Sequence, residues 1–186
     1  MNRLLNILLI IAALTVGGCE CWYDPLIMEL PPITEEGKNT FGCMIEDEVY
    51  VPQARRLDFS GIPIGCEVWK FPETESLFSV ETNRFVGKSD KVKDAKVNIE
   101  AKDICGSGTY TMDDGWILYN DTWYQVLPNT SSLTITKLDT IKGIISGQFY
   151  FQASLNKEDL DSKIITISNG RFDLNWFDLP KYRTLQ

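Results

Sequence analysis

Four aromatic side chains flank one predicted tight turn in the second half of the chain. They are Trp116, Tyr119, Trp123 and Tyr124, and the turn residues between them are Asn120 and Asp121. Aromatic rings with amide and carboxylate groups beside them can stack on sugar rings and hydrogen-bond to sugar hydroxyls. Aromatic residues of neighbouring strands also stabilise a sheet by packing against each other. The cluster is therefore a candidate glycan-binding site, with sheet packing as the alternative interpretation.

A second candidate for chemistry is a cysteine at the end of a short apolar N-terminus. Arg3 precedes the apolar run Leu4 to Val16, and Gly17-Gly18-Cys19 follows it. This pattern is typical of a secretory signal peptide, because the run is too short to cross a bilayer as a helix. The order aliphatic-Gly-Gly-Cys resembles the bacterial lipobox, in which the cysteine thiol is acylated and becomes the mature N-terminus. We predict lipidation of Cys19 with palmitate-type chains, the alternative being an ordinary signal peptide with an incidental cysteine.

The other cysteines are Cys21, Cys43, Cys66 and Cys105, and no two of them form a CxxC pair. A thiol-redox site is therefore not indicated. Cysteines outside the cytoplasm can persist as disulfides, and Cys43, Cys66 and Cys105 are candidates for such bonds. Cys21 lies two residues from the predicted anchor. The alternative interpretation is that some of these thiols are small buried hydrophobic groups.

Composition excludes several classes of function. The chain of 186 residues has 18 Lys and Arg against 26 Asp and Glu, a net charge of −8, which argues against nucleic-acid binding. It contains no histidine, so the commonest general base and zinc ligand are missing. Asp113-Asp114-Gly115 lacks the spacing of a calcium loop and predicts a turn. We predict no cofactor, no metal site and no enzymatic activity, although a hydrolase built on two carboxylates stays open.

The elements that position these residues are predicted to be short β-strands. Residues 1–18 are the signal peptide, residues 19–38 a proline-spotted, acidic linker, and residues 39–186 a single domain. Short apolar-polar alternations separated by turn residues recur through the domain, and no stretch predicts a helix of three turns or more. The predicted fold class is all-β, an antiparallel β-sandwich or open barrel with little or no helix.

Three local features of the strands can be specified. Glu46-Asp47 and Asn120-Asp121 are predicted hairpin turns. Ile165 and Ile167 set one inward face of the last strand, but Phe172, Leu174 and Trp176 have the opposite parity. A continuous strand cannot bury both sets on one side, so we expect a bulge or turn at Asn169-Gly170.

The two ends of the chain resemble a family of uncharacterised lipoproteins from the Bacteroidota. The first match is Leu30-Pro31-Pro32-Ile33-Thr34 with Gly37-Lys38-Asn39-Thr40-Phe41-Gly42-Cys43, against LPPxTxxGxNTFGCxVNG. The second is Gly143-Ile144-Ile145-Ser146-Gly147-Gln148-Phe149-Tyr150-Phe151 with Gly170-Arg171-Phe172-Asp173, against IISGxFxF and GRFD. Glu46-Asp47 replaces the family's Asn-Gly turn, and Tyr50 replaces its tryptophan. The resemblance implies secretion, lipidation and a β-fold, and it supplies no active site.

The resemblance also gives meaning to Asp139-Thr140-Ile141, which matches the Asp-Thr-aliphatic pattern of O-glycan attachment in these bacteria. Thr140 is therefore a candidate for modification. We predict a cell-envelope lipoprotein, attached to the outer membrane on either of its faces, that binds or scaffolds a glycan or an envelope protein. A barrel holding a hydrophobic ligand is a further alternative.

Overall fold

A computed structural model of the chain describes residue 27 and residues 29–53, 64–70, 76–84, 95–112, 114–155 and 162–179. These residues contain no helix, and therefore none long and apolar enough to cross a membrane. They form the strands β1 (Thr40–Ile45), β2 (Glu48–Tyr50), β3 (Ile64–Lys70), β4 (Ser76–Arg84), β5 (Ala95–Lys102), β6 (Gly108–Tyr110), β7 (Asp114–Tyr119), β8 (Thr122–Val126), β9 (Ser132–Asp139), β10 (Ile144–Ser154) and β11 (Ile164–Asn175). The predicted all-β class is confirmed.

All eleven strands belong to one antiparallel sheet that bends at β10. The order is β2-β1-β11-β10-β8-β7-β5-β4-β3, while β9 pairs with both β10 and β6. The first part of β10, Ile144 to Tyr150, pairs with β9, whereas its last residues, Ala153 and Ser154, pair with β8. The sheet curls from this point into a nearly closed, barrel-like shape.

Polar contacts join the region of β2 to the far side of the sheet. The backbone N–H of Gln53 donates to the carbonyl of Asn83 at 3.1 Å, and Nη1 of Arg84 donates to the carbonyl of Val49 at 2.9 Å. The Arg84 guanidinium lies over the ring of Tyr50, 5.1 Å from its centroid. The Tyr50 hydroxyl and Thr82 Oγ1 are 2.9 Å apart. These contacts hold β2 and β4 together although they are not neighbours in the sheet.

The core lies between the two halves of the curled sheet. On β5, the alternating residues Val97, Ile99 and Ala101 are fully buried, as the period-two pattern predicts. Phe78 of β4 stacks on Phe172 of β11 with ring centroids 5.3 Å apart, so opposite halves meet through aromatic contact.

The expected irregularity in β11 is present. Phe149 pairs with Gly170 and Phe151 pairs with Ile167, so Ser168 and Asn169 together face one residue of β10. Asn169 has a φ of 52°, a left-handed conformation that asparagine tolerates better than most residues. The bulge restores the register, and Ile165, Ile167, Phe172 and Leu174 are all buried.

Both predicted hairpin turns are also confirmed. Glu46 has a φ of 53° in the turn between β1 and β2, and Asn120 and Asp121 have φ values of 53° and 59° between β7 and β8. Two successive left-handed residues make the turn whose twist suits a two-residue hairpin.

Residues 30–38, which the sequence assigns to the linker, lie on the domain. We call them the N-terminal segment. The segment is bound chiefly by the buried carboxylate of Asp173 on β11. This carboxylate accepts hydrogen bonds from Oγ1 of Thr34 (2.6 Å) and from the backbone N–H groups of Glu36 (3.0 Å), Gly37 (2.7 Å) and Lys38 (3.3 Å). It also accepts one from Oγ of Ser146 on β10 (2.8 Å). Further bonds run from Nη1 of Arg171 to the carbonyl of Pro31 and from Nζ of Lys137 to the carbonyl of Glu35. Residues 31–38 of the predicted linker are therefore bound to the domain.

The Asp173 carboxylate makes stability depend on pH. Burial alone would raise its pKa, but the hydrogen bonds from Thr34, Gly37, Ser146 and Glu36 outweigh burial and hold the pKa below its ordinary value. The stabilisation is therefore complete above the unfolded pKa of about 3.9 and is lost as pH falls toward the folded pKa. We expect urea denaturation to show the free energy of unfolding falling below about pH 4, with a shallower fall in Asp173→Asn. Equal pH slopes for the two proteins would contradict this assignment.

The cysteines differ in their surroundings. Cys43 on β1 is a free, fully buried thiol whose pKa is raised by burial, partly offset by the charge of Arg84. Cys105 is a free, exposed thiol, 3.8 Å from the Tyr110 hydroxyl. These two candidates for disulfide bonding are thus unpaired, and Cys43 is one of the small buried hydrophobic groups of the alternative interpretation. Cys66 lies on β3 with a side chain outside the described part, and Cys19 and Cys21 lie outside the described residues.

Candidate functional site

The hairpin of β7 and β8 divides the four predicted site aromatics into two pairs. Ile117 faces Tyr124 and Leu118 faces Trp123 across the two strands. Because successive side chains of a strand point to opposite faces, Tyr124 and Tyr119 lie on the inner side with Ile117. Tyr124 is buried in the core, and Tyr119 packs against it. Tyr124 thus follows the sheet-packing interpretation and is not available to a ligand, while Tyr119 is half-buried on the inner side.

Trp116 and Trp123 lie on the outer face of the hairpin and form what we call the tryptophan pair. Their ring centroids are 4.8 Å apart, and the ring planes are inclined by 59°. Trp123 is 53% exposed, while Trp116 is half-buried. Water thus reaches a large part of one indole while its neighbour supports it, an arrangement suited to stacking against a flat apolar ligand face.

Tyr119, the last residue of β7, lies on the inner side of the same hairpin and has different surroundings from the two tryptophans. Burial raises the pKa of its hydroxyl, and a hydrogen bond with Glu48 of β2 raises it further. The phenol therefore contacts β2, an edge strand that is not a neighbour of the hairpin in the sheet, and helps to close the barrel-like shape.

Polar residues of the adjoining strands extend the outer face beside the tryptophan pair. Asn98 of β5 is the register partner of Trp116, and Lys96 is the register partner of Leu118. Glu81 of β4 pairs in turn with Asn98. Glu81 lies two strands away from Trp116. Because neighbouring strands are ~4.8 Å apart, the backbones of these two residues are separated by roughly 10 Å, about the length of a disaccharide. We call Lys96, Asn98 and Glu81 the polar row.

Asn98 is the most unusual member of the polar row. Its side chain is 4% exposed, and its Nδ2 makes only long hydrogen bonds of 3.5 Å to Ser79 Oγ and to the carbonyl of Val80. Its Oδ1 accepts no hydrogen bond. A buried acceptor without a donor is unfavourable.

The acidic groups of this face are positioned by their neighbours. Burial raises the pKa of Glu81, and the positive charge of Lys96 partly offsets that effect. Glu100 of β5 accepts a hydrogen bond from Ser79 Oγ at 3.3 Å. Carboxylates and an ammonium group beside an exposed indole supply both acceptors and donors for sugar hydroxyls.

The remaining predicted positions lie apart from the tryptophan pair. Thr140 is exposed in the turn between β9 and β10, where a modifying enzyme can reach its hydroxyl, and its O-glycosylation stays a prediction. Asp114 hydrogen-bonds to the adjacent Gly115 N–H at 2.8 Å, and Asp113 lies outside the described residues. Among the residues that the structure describes, no three acidic or cysteine side chains form a group that could hold a metal ion.

Sequence reasoning finds the tryptophans but misses the polar row. The alternation of Lys96, Asn98 and Glu100 with apolar residues marks them as one face of a strand. It does not say that this strand pairs with the hairpin, because strand order depends on contacts between segments far apart in the chain.

Comparisons with protein-family models, with curated proteins and with solved structures gave no match for this chain. The Bacteroidota lipoprotein resemblance consequently stays a hypothesis that rests on the motifs at the two ends of the sequence.

Proposed function

We propose that this chain is a cell-envelope lipoprotein, anchored through an acylated Cys19, whose β-domain binds glycans on the tryptophan pair. The anchor is supported by the apolar run and the aliphatic-Gly-Gly-Cys order at residues 4–19. The ligand class is supported by one observation above all, the outward placement of Trp123 against Trp116.

The chemistry of the outer face favours a carbohydrate over other ligands. One face of a pyranose ring carries only C–H groups and stacks on an indole, while its edge carries hydroxyls. Lys96 lies two strands from Trp123, at a backbone distance of roughly 10 Å, and Glu81 lies on the strand after that. A short oligosaccharide that stacks on Trp123 would therefore reach Lys96 and Glu81 with sugar units further along its chain.

Glycan binding predicts a large loss of affinity in Trp123→Ala. We expect intrinsic tryptophan fluorescence of the chain from residue 20 onward to change saturably with at least one member of a panel of gluco-, galacto- and manno-oligosaccharides. Trp123→Ala should weaken binding at least tenfold, the equivalent of about 1.4 kcal/mol, because stacking on an exposed indole supplies much of the affinity. Isothermal titration calorimetry gives the same constants without an optical reporter.

Tyr150→Ala is the matched control, since Tyr150 is a 50% exposed aromatic on β10, away from the hairpin. It should leave affinity unchanged. Circular dichroism should show both variants folded, because neither side chain lies in the core. Absence of any response across the panel, or equal losses in the two variants, would reject the tryptophan pair as a glycan site.

A further inference from the structure

A second exposed apolar feature lies at one end of the domain. It consists of Ile141, Trp176 and Phe177, which we call the apolar tip. Ile141 is 89% exposed and Phe177 is 64% exposed, while Trp176 is half-buried beside Phe177 with ring centroids 5.6 Å apart. Large apolar side chains held together in water mark a surface that contacts something else.

The apolar tip has a defined conformation. Oδ1 of Asp139 accepts hydrogen bonds from the backbone N–H groups of Ile141 and Lys142 and so fixes the turn after β9. The Phe177 ring packs directly over Gly143, and the backbone N–H of Trp176 donates to the Gly143 carbonyl at 2.9 Å. Two separate segments of the chain are thus bound together, with Ile141 and Phe177 exposed and Trp176 packed against the core.

The register of the strands places the apolar tip opposite the tryptophan pair. Ile144, the first residue of β10, pairs with Asn175, the last residue of β11, so Ile141 and Phe177 lie just beyond this end. At the other end of β10, Ser154 pairs with Gln125, and Trp123 lies further along in the same direction. With a rise of ~3.3 Å per residue over β10, the two features are separated by roughly 35 Å.

The part of the chain that leads to the N-terminus leaves the domain near the apolar tip. Ile27 lines a groove of about 260 Å³ together with Asn39, Thr40 and Phe41. Asn39 accepts a hydrogen bond from the Asn175 N–H at 2.7 Å, next to Trp176. From Ile27 to Cys19 the chain can extend at most about 29 Å, at ~3.6 Å per residue. An acyl group on Cys19 therefore holds this end of the domain close to a bilayer.

We propose that the apolar tip docks on the lipid surface and orients the tryptophan pair away from the membrane. Tryptophan and phenylalanine beside isoleucine suit the boundary between headgroups and acyl chains. Lys38, Lys137 and Lys142 offset three of the four acidic side chains near this end of the domain, which are Glu35, Glu36, Asp139 and Asp178. The net negative charge of the chain is therefore not concentrated where docking occurs. This inference rests on the membrane anchoring in the proposed function and is independent of glycan binding.

Isoleucine methyl NMR on nanodiscs tests the docking, with Ile164 as an internal control. Ile164 is also exposed, at 46%, but pairs with Ser154 at the opposite end of β10. A hexahistidine tag replaces residues 1–19, and phosphatidylcholine nanodiscs carry a nickel-chelating lipid and a lipid spin-labelled high on its acyl chain. We expect loss of the Ile141 methyl signal and retention of the Ile164 signal. Retention of both signals, or equal loss of both, would overturn the proposal.

Two variants and a parallel experiment on the acylated protein distinguish a failure of tip docking from a failure of the Cys19 anchor. The methyl signal of Ile144, at the same end of β10 as the tip, reports on the variants. In Ile141→Ser the spin-labelled lipid should broaden the Ile144 signal no more than the Ile164 signal, whereas Ile164→Ser should leave the selective broadening of the Ile141 signal unchanged. The natural lipoprotein, with acylation of Cys19 checked by mass spectrometry, is examined in parallel. Missing acylation would reject the anchor while leaving the tagged result valid. An O-glycan found on Thr140 would shield Ile141 and would overturn the docking.

Discussion

Asp173→Asn is expected to lower the free energy of unfolding by about 2–4 kcal/mol. The carboxylate accepts five hydrogen bonds, three on Oδ2 and two on Oδ1. An amide in the same place offers one oxygen, so its NH2 group must face at least one N–H donor of the N-terminal segment. The remaining bonds also lose the strength that a charged acceptor gives them. Urea denaturation at neutral pH measures the difference.

Limited proteolysis distinguishes local release of the N-terminal segment from unfolding of the whole domain. Lys38 is exposed, but its backbone N–H is bound to Asp173, so release of residues 30–38 should give trypsin faster access to the bond after Lys38. Asp139→Asn is the matched control, because Asp139 likewise accepts two backbone N–H bonds, in an exposed turn that asparagine also supports. It should change neither stability nor cleavage. Equal effects of the two substitutions would show that the buried site of Asp173 has no special role.

The same carboxylate shows where prediction from sequence fails. Gly-Arg-Phe-Asp reads simply as part of a strand with Phe172 inward, and the N-terminal segment reads as a proline-spotted linker. What joins them is a set of hydrogen bonds between residues more than 130 positions apart. Periodicity and propensity describe neighbours along the chain, so such a contact leaves no local signal.

Local features, in contrast, are well predicted because their causes are local. The turn at Asn120-Asp121 follows from residues that tolerate a left-handed backbone, and the bulge near Asn169 follows from the parity of Ile167 and Phe172. The division of the aromatic cluster follows from the same parity once the hairpin register is fixed. The polar row beside it does not, because Asn98 and Trp116 meet only through strand pairing.

Membrane docking of the apolar tip and glycan binding on the tryptophan pair are compatible, because the two features lie at opposite ends of the sheet. A short tether and the apolar tip at one end would fix the orientation of the domain on a bilayer. Trp123, beyond the other end of β10, would then face away from the lipid, where an extended glycan can reach it. Either proposal can fail without the other, since they depend on different residues at opposite ends of the sheet.

Gly147→Ala is expected to be as damaging as the loss of the Asp173 carboxylate, at about 3 kcal/mol or more. Gly147 lies on the inner face of β10, where an added Cβ would be 2.8 Å from Cζ of Phe172 and in hard overlap with the backbone carbonyl oxygen of Thr134. Phe172 cannot withdraw freely, because its ring stacks on Phe78. The carbonyl belongs to β9, so relief requires that β9 move away from β10 and weaken their pairing.

Gly106→Ala supplies the control, since a Cβ at Gly106 would meet no atom within 4 Å. Thermal and urea denaturation should therefore place Gly106→Ala within about 0.5 kcal/mol of the parent protein. Both substitutions reduce the conformational entropy of the unfolded chain similarly, so the difference between them isolates the clash at β10. Near-equal stabilities would mean that β9 can shift at little cost. A large difference would identify close packing of β9, β10 and Phe172 as a condition for the curled sheet that separates the tryptophan pair from the apolar tip.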